Sequence, residues 1–377
     1  MASDADEFFE DKRPWSVIKD EVLGSYLPVY LAKVNSLGRP ILIVDGFAGP
    51  GVFDDGSIGS PLIICASAEK YAKGNYQAFF INKRRDHHEK LTSVLAKGKW
   101  LGPSVVPVLG NTIEILPRLP GAIRDHTVFL YLDPFGPTGS PFSLLEPFLR
   151  RDQIYSTELV LMMHMPAIHR LAARVKVEEG RGSNPSIQKT HTQLTDVFGG
   201  DYWKPIMFVS NISAEERENR LIDAYKAKLA KHLPYVGSCP VRASQTKRIK
   251  YFIVFASRHP HAMLEMNRAM AKAYLKHMHE TAVAGTLFEK TSWQDERYAV
   301  GLREEVLSQV AKHPGLSREN LWLKIVRANF MRYLENEYIQ TVQRLVDEGA
   351  LACPTPRPTK RLNKHCELFL PANEDLS

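Results

Sequence analysis

The stretch Ile41-Leu42-Ile43-Val44-Asp45-Gly46-Phe47-Ala48-Gly49-Pro50-Gly51 constrains the fold more than any other part of this chain. Its four leading apolar residues, mostly β-branched, read as a short buried strand closed by an acid. Three glycines and a proline then turn the chain. Gly46, Gly49 and Gly51 tolerate positive φ and let the backbone come close to a bound group. A buried strand that empties into a glycine-rich turn belongs at the carboxyl edge of an open α/β sheet, where such sheets hold nucleotide-like ligands. The spacing, Asp-x-Phe-x-Gly-x-Gly, is not the six-residue glycine fingerprint of dinucleotide enzymes. A plain tight turn after a core strand has the same composition, so the rest of the chain must decide between the two.

The neighbouring segments alternate strand and helix. Ahead of the first strand, Trp15, Ile18, Val22, Leu23, Tyr26 and Leu27 recur at helical spacing, so residues 1–40 read as a tail followed by an amphipathic helix. Pro61 opens a helix over 62–71, as proline does at a first helical position. Residues 76–81, 105–109, 127–132 and 158–163 read as further strands, with helical segments between them. That alternation implies a parallel sheet with helices on both faces. Residues 241–244 and 251–256, joined by the basic turn Lys247-Arg248-Ile249-Lys250, read as an antiparallel hairpin that completes the sheet. The rhythm lapses over about 165–209, which reads as an insertion after the fifth strand. It carries Arg170, Arg174, Lys176 and Arg181, and a solvated surface excursion accounts for it as well as a substrate-facing element does. The α/β domain spans 41–290 on this reading. A Met-rich helix over 263–278 lies near its end, with its methionines expected in the core.

From about residue 296 the character changes. Helical patterns at 302–310, from the N-cap Ser317 to about 329, and at 338–346 precede two short apolar runs, 351–353 and 366–370. Three helices followed by a two-stranded wing predict a winged helix-turn-helix over 296–377. Its wing tip carries Arg357, Lys360, Arg361 and Lys364, which suit phosphate. Such modules serve equally as dimerisation or protein-docking units.

Composition narrows the class. With 377 residues, 44% hydrophobic and 24% charged, the chain is of globular type and long enough for two domains. A net charge of +7 permits a polyanionic partner without demanding one. Cys65, Cys239, Cys353 and Cys366 form no close pair, and the histidines gather at no ligand spacing, so neither structural zinc nor another metal is expected. No apolar run approaches the roughly 18 residues of a membrane span. The expectation is a soluble, cytoplasmic protein.

A second turn carries chemistry. Asp133-Pro134-Phe135-Gly136 follows the apolar strand 127–132 and resembles the Asp/Asn-Pro-Pro-Tyr/Phe motif of amino-group methyltransferases. The turn at 45–51 resembles motif I of S-adenosylmethionine-dependent methyltransferases. Together they imply a Rossmann-like class I methyltransferase sheet with S-adenosylmethionine as cofactor. In that scheme Asp45, Gly46, Phe47, Ala48, Gly49 and Gly51 cradle the methionine end. Asn82, where an acid usually takes the ribose hydroxyls, and Asn111, where adenine is usually read, complete the cofactor site. Neutral Asn82 departs from the pattern, with Asp86 as a nearby substitute. Asp133, Pro134 and Phe135 are the catalytic candidates: a carboxylate and a backbone carbonyl orient the amine, and the aromatic ring stacks on a flipped base. Gly136 stands where the motif's aromatic residue usually stands. As turn residues alone, all of these positions need no ligand.

Five stretches together resemble the three-Cys-motif partner protein family. They are Lys12-Arg13-Pro14-Trp15-Ser16-Val17-Ile18-Lys19, residues 44–51, Gly59-Ser60-Pro61-Leu62, Leu132-Asp133-Pro134-Phe135-Gly136, and Tyr251-Phe252-Ile253-Val254-Phe255-Ala256-Ser257. The resemblance covers about 12–273. It implies a methyltransferase-like fold in a bacterial protein paired with a three-Cys-motif partner of iron–sulfur or radical-SAM type, in a setting of mobile elements or phage defence. The expected activity is methylation of an amino group of a nucleic-acid base, with DNA or RNA as a further partner. The alternative is a catalytically silent scaffold of the same fold.

Overall fold

Residues 41–45 form an interior strand of the sheet: all five are buried and both neighbours are parallel. The computed structural model describes residues 14–121, 123, 125–173, 185–244, 247–287, 301–354 and 362–371. In chain order the sheet contains β1 (Ile41–Asp45), β2 (Tyr76–Asn82), β3 (Val105–Leu109), β4 (Thr127–Leu132), β5 (Thr157–His164), β6 (Tyr235–Arg242) and β7 (Ile249–Ser257). They lie in the order β3-β2-β1-β4-β5-β7-β6. β1 to β5 are parallel, whereas β7 runs antiparallel between β5 and β6. This is a mostly parallel, Rossmann-like α/β sheet with an antiparallel end hairpin. The hairpin is longer than its apolar core suggested, because Pro240 sits inside edge strand β6. Pro107 sits likewise in the opposite edge strand, β3. A residue without an N–H is tolerated where no further strand pairs.

The order reverses beside β1. The chain goes outward to β2 and β3, then returns to β4 on the other side of β1, so the carboxyl ends of β1 and β4 flank the switch point. Register places Asp45 beside Tyr131, two residues before Asp133.

Strand periodicity then sorts side chains between the two faces. Leu42, Val44, Val128, Leu130, Leu132, Leu161 and Val254 enter one core. Against it pack α5 (Phe142–Leu149), α7 (Pro185–Phe198), α8 (Trp203–Phe208) and α9 (Ala214–Ala230), through Phe148, Phe198, Trp203 and Tyr225. Residues 185–208, expected within an irregular insertion, are therefore largely helix built into the core. Gly199, Gly200 and Pro205 interrupt the periodicity that would have revealed it. Arg174, Lys176 and Arg181 lie outside the described residues.

The opposite face is covered by α1 (Pro14–Asn35), which runs unbroken through Pro28. Tyr26 and Tyr30 pack on Phe129 of β4 with ring centroids 6.2 and 5.2 Å apart, and Tyr26 meets Phe255 of β7 edge-on at 5.5 Å. The Tyr26 hydroxyl donates to buried Glu158 of β5, which also accepts from Ser257 at 3.0 Å. Beside α1 lies α2 (Ser60–Tyr71), entered through Gly59 with proline in its first turn. The remaining helices of this unit are α3 (Arg85–Lys97), the short α4 (Thr112–Ile115) and α6 (Met165–Ala173).

The chain divides into compact units Met1–Ala262 and Met263–Ser377. Helix α10 (Pro260–Val283) carries the boundary, so most of the Met-rich helix falls with the second unit. There the buried amide of Asn267 ties α10 to a turn: it accepts from Met331 N at 2.6 Å and donates to Tyr333 O at 3.1 Å. Three helices follow: α11 (Leu302–Lys312), α12 (Arg318–Ala328) and α13 (Glu335–Asp347). Ser317 caps α12, and Trp322 stacks on Tyr338 at 4.8 Å. Two-residue strands β8 (Leu316–Ser317) and β9 (Glu367–Leu368) pair antiparallel, and Ala352 bridges to Phe369.

Candidate functional site

The alternation that sends Val44 and Leu132 into the core sends Asp45, Asp133 and His164 to the α1 side, all at carboxyl ends of strands. A cleft of about 370 Å³ opens there. Its walls are Lys19 and Asp20 from α1, Phe47 to Gly51 and Phe53 from the glycine turn, Gly59 and Ser60, Asp133 to Phe135, and His164.

The turn is stitched to both neighbouring strands: Gly46 N donates to Tyr131 O at 3.0 Å and Ala48 N to Ile81 O at 3.1 Å. A Cβ at Gly46 would lie 2.5 Å from Leu132 Cδ2, so any larger residue there must displace that side chain. At Gly51 both arguments apply: φ is +82°, and a Cβ would lie 2.7 Å from Leu91 Cδ1.

Asp45 holds this turn and does not line the cleft. Fully buried, it accepts from Phe47 N at 3.0 Å and from Ser60 Oγ at 2.6 Å. Burial lifts its carboxyl to about 7, against the pull of those two bonds. Asn82 is likewise engaged in the scaffold, since its amide nitrogen donates to Gly49 O at 2.9 Å. Asn111 caps α4 by accepting from Ile113 N at 3.3 Å. Asp86 is exposed and bound by Arg84, whose hydrogen bonds draw it down to about 2. Of the cofactor candidates, Phe47, Ala48, Gly49 and Gly51 line the cleft, whereas Asp45, Gly46, Asn82 and Asn111 do not.

The catalytic candidates Asp133, Pro134 and Phe135 all line the cleft. The Asp133 carboxylate accepts from Lys19 Nζ, the side chains being 17% and 12% exposed, and His164 Nε2 stands 3.5 Å from its Oδ1. Burial opposes ionisation of Asp133, yet the Lys19 ammonium and His164 more than offset it and hold the carboxyl well below its ordinary range. Burial likewise opposes the charge on Lys19, and Asp133 and Asp20 outweigh it, so its pKa is raised. The pair is thus a true ion pair. Beneath it Tyr131 stays a neutral phenol, pushed up by burial and by Asp20, Asp133 and Asp45. Phe135 is 62% exposed at the cleft mouth.

Lys19, Asp20, Ser60, Phe53 and His164 were not among the candidates read from the sequence. His164 was within reach, because it ends β5 next to the strand that bears Asp133. Of the four residues expected at a wing tip, only Lys364 is described; it is exposed, with Nζ 3.7 Å from Glu319 Oε2. Arg357, Lys360 and Arg361 lie outside the described residues. Among the described residues no group of three or more His, Cys, Asp and Glu is placed to hold a metal, and no helix is long and apolar enough to cross a membrane.

No protein-family model matches the chain, and neither does any curated protein. The resemblance to the three-Cys-motif partner family therefore has no family match behind it. Among solved structures the chain is similar to M. jannaschii TYW2 in complex with AdoMet, at 11% identity over 62% of this chain and 76% of that chain. The TM-score is 0.26, too low for that likeness to assign anything to this protein.

Proposed function

We propose that this chain is an S-adenosylmethionine-dependent methyltransferase acting on an amino group, with a nucleic-acid base as acceptor. One observation carries the proposal: the glycine turn after β1 and the Asp-Pro-Phe turn after β4 converge on a single cleft at the switch point of the sheet.

The donor set suits the cofactor. Asp20 offers a carboxylate to an ammonium or sulfonium, Lys19 offers a cation to a carboxylate, and Phe47 and Phe53 offer rings to an adenine. An acid for the ribose hydroxyls is not supplied by Asn82, whose amide serves Gly49. When bound, the cofactor supplies an electrophilic methyl group. Everything else falls to the chain. Asp133, kept ionised, accepts an N–H of the amine and so aims its lone pair; orientation of this kind is the larger part of such catalysis. Phe135 presents an exposed ring on which an extruded base stacks. The helix–strand–helix–helix–strand order of the second unit supports a winged helix-turn-helix that delivers nucleic acid.

A second reading, a silent scaffold for a three-Cys-motif partner, is favoured by the Lys19–Asp133 pair, which fills the acceptor in the resting chain. Titration calorimetry with S-adenosylmethionine and S-adenosylhomocysteine is the test. Binding of both supports the enzyme, and binding of neither, far above ordinary cofactor concentrations, overturns it. Methyl transfer by the chain alone would remove the scaffold.

A further inference from the structure

Asp133 already has what its proposed substrate would offer. The Lys19 ammonium donates to Asp133 Oδ2 in a pair that is largely shielded from water. Oδ1 faces His164 at a separation too long for a good hydrogen bond. The carboxylate thus holds one primary ammonium, supplied by the chain itself, at the atom a target amine needs.

We infer that Lys19 is the resident occupant of an amine subsite on Asp133, and that a primary ammonium or exocyclic amino group reaches Oδ2 only as Lys19 withdraws. What that amine belongs to rests on the methyltransferase reading; the subsite itself rests on geometry. Three features support it. The carboxylate is acceptor-only and stays ionised, so it selects N–H donors and repels anions. Asp20, adjacent in α1 and lining the same cleft, gives the Lys19 ammonium a second carboxylate to turn to. A lysine stem rotates freely enough to make that exchange without moving the helix. The arrangement also spares the resting chain a buried, unpaired carboxylate.

The test needs no substrate. Lys19→Met removes the occupant and leaves the stem's bulk. Its melting temperature is then measured at about pH 8 in about 0.2 M ethylammonium, tetramethylammonium or sodium chloride. The expected result is that ethylammonium raises the melting temperature of Lys19→Met by about 3 °C or more over both other salts. The wild type should show no such preference, and the double variant Lys19→Met/Asp133→Asn should lose it. Equal melting of Lys19→Met in the three salts would overturn the inference. Should Lys19→Met not fold, Lys19→Gln is read in the same way. Amine rescue without cofactor binding would leave the subsite standing and sink the methyltransferase. Cofactor binding without amine rescue would do the reverse.

Discussion

Replacing Asp45 by Asn should change how the stability of the first unit depends on pH. The native carboxyl is raised from 3.8 to about 7, chiefly by complete burial. Between those two values the native state keeps a proton that the unfolded chain has released. Unfolding free energy therefore falls as pH rises through that window, and is level on either side of it. Lifting an acid that far corresponds to about 4 kcal/mol lost between about pH 4 and pH 8. Asn preserves the shape: its oxygen accepts from Phe47 N, and its NH₂ meets Ser60 Oγ. The charged groups nearest Asp45, Asp133 and Lys19, remain in both proteins, as does Glu158, raised by burial to about 7 with the same sign. Subtracting the curves isolates Asp45. Urea titrations at stepped pH supply them, with the transition of the first unit read apart from the second, because a chain of two units is not safely two-state. Asp45→Asn should be no more stable than wild type near pH 4 and more stable by about 4 kcal/mol near pH 8. Parallel curves across the window would refute the argument, because they would mean that Asp45 titrates in the native state as it does in the unfolded chain.

Gly46→Ala places a Cβ 2.5 Å from Leu132 Cδ2 and 3.0 Å from Thr112 Cγ2. It should cost about 1–3 kcal/mol by overpacking, seen as a lower urea midpoint at constant slope, and an unchanged midpoint would show that the turn yields. Asn82→Asp, which restores the acid usual at that position, should weaken the protein by about 2 kcal/mol, because Gly49 O loses a donor and faces a carboxylate. Thermal melting checks this, and a gain in stability with tighter cofactor binding would return Asn82 to the ribose. Changing Arg357, Lys360, Arg361 and Lys364 together to Ala should flatten a log–log salt slope near −3 on duplex DNA, the value for about three phosphate contacts. Gel-shift titrations with equal slopes for both proteins would take nucleic acid away from the wing.

The parallel strands were legible because each is a continuous apolar run ended by a polar turn, which is how strands buried on both faces read. The pairing of residues 45–51 with 133–135 followed from placing those turns on neighbouring strands. What the strand reading alone could not show is the side chain that crosses between elements. Lys19 and Asp133 are 114 residues apart, and their contact depends on which face α1 covers. That face is fixed by the packing of Tyr26 and Tyr30 on Phe129, a tertiary fact with no local signature. Asn82 and Asn111 were placed at the right strand ends, but residue type does not disclose that an amide is spent on Gly49 O or on a helix cap. Helices α7 and α8 escaped notice because α8 is short and the join between them is broken by glycines, so tertiary packing by Phe198 and Trp203 supplies what periodicity lacks.

The prolines of the two outermost strands have a consequence for behaviour at high concentration. Pro107 in β3 and Pro240 in β6 each remove a donor from a border of the sheet that no further strand covers among the described residues. A foreign strand laid along either border would leave one of its own carbonyls without a partner near the middle of the new ladder. Open strand borders are the usual seeds of fibrous aggregation, and here both are blunted by a residue that cannot take part in a ladder. Self-association through the sheet is thereby discouraged at both ends, and a companion protein that adds a strand to it would meet the same obstacle.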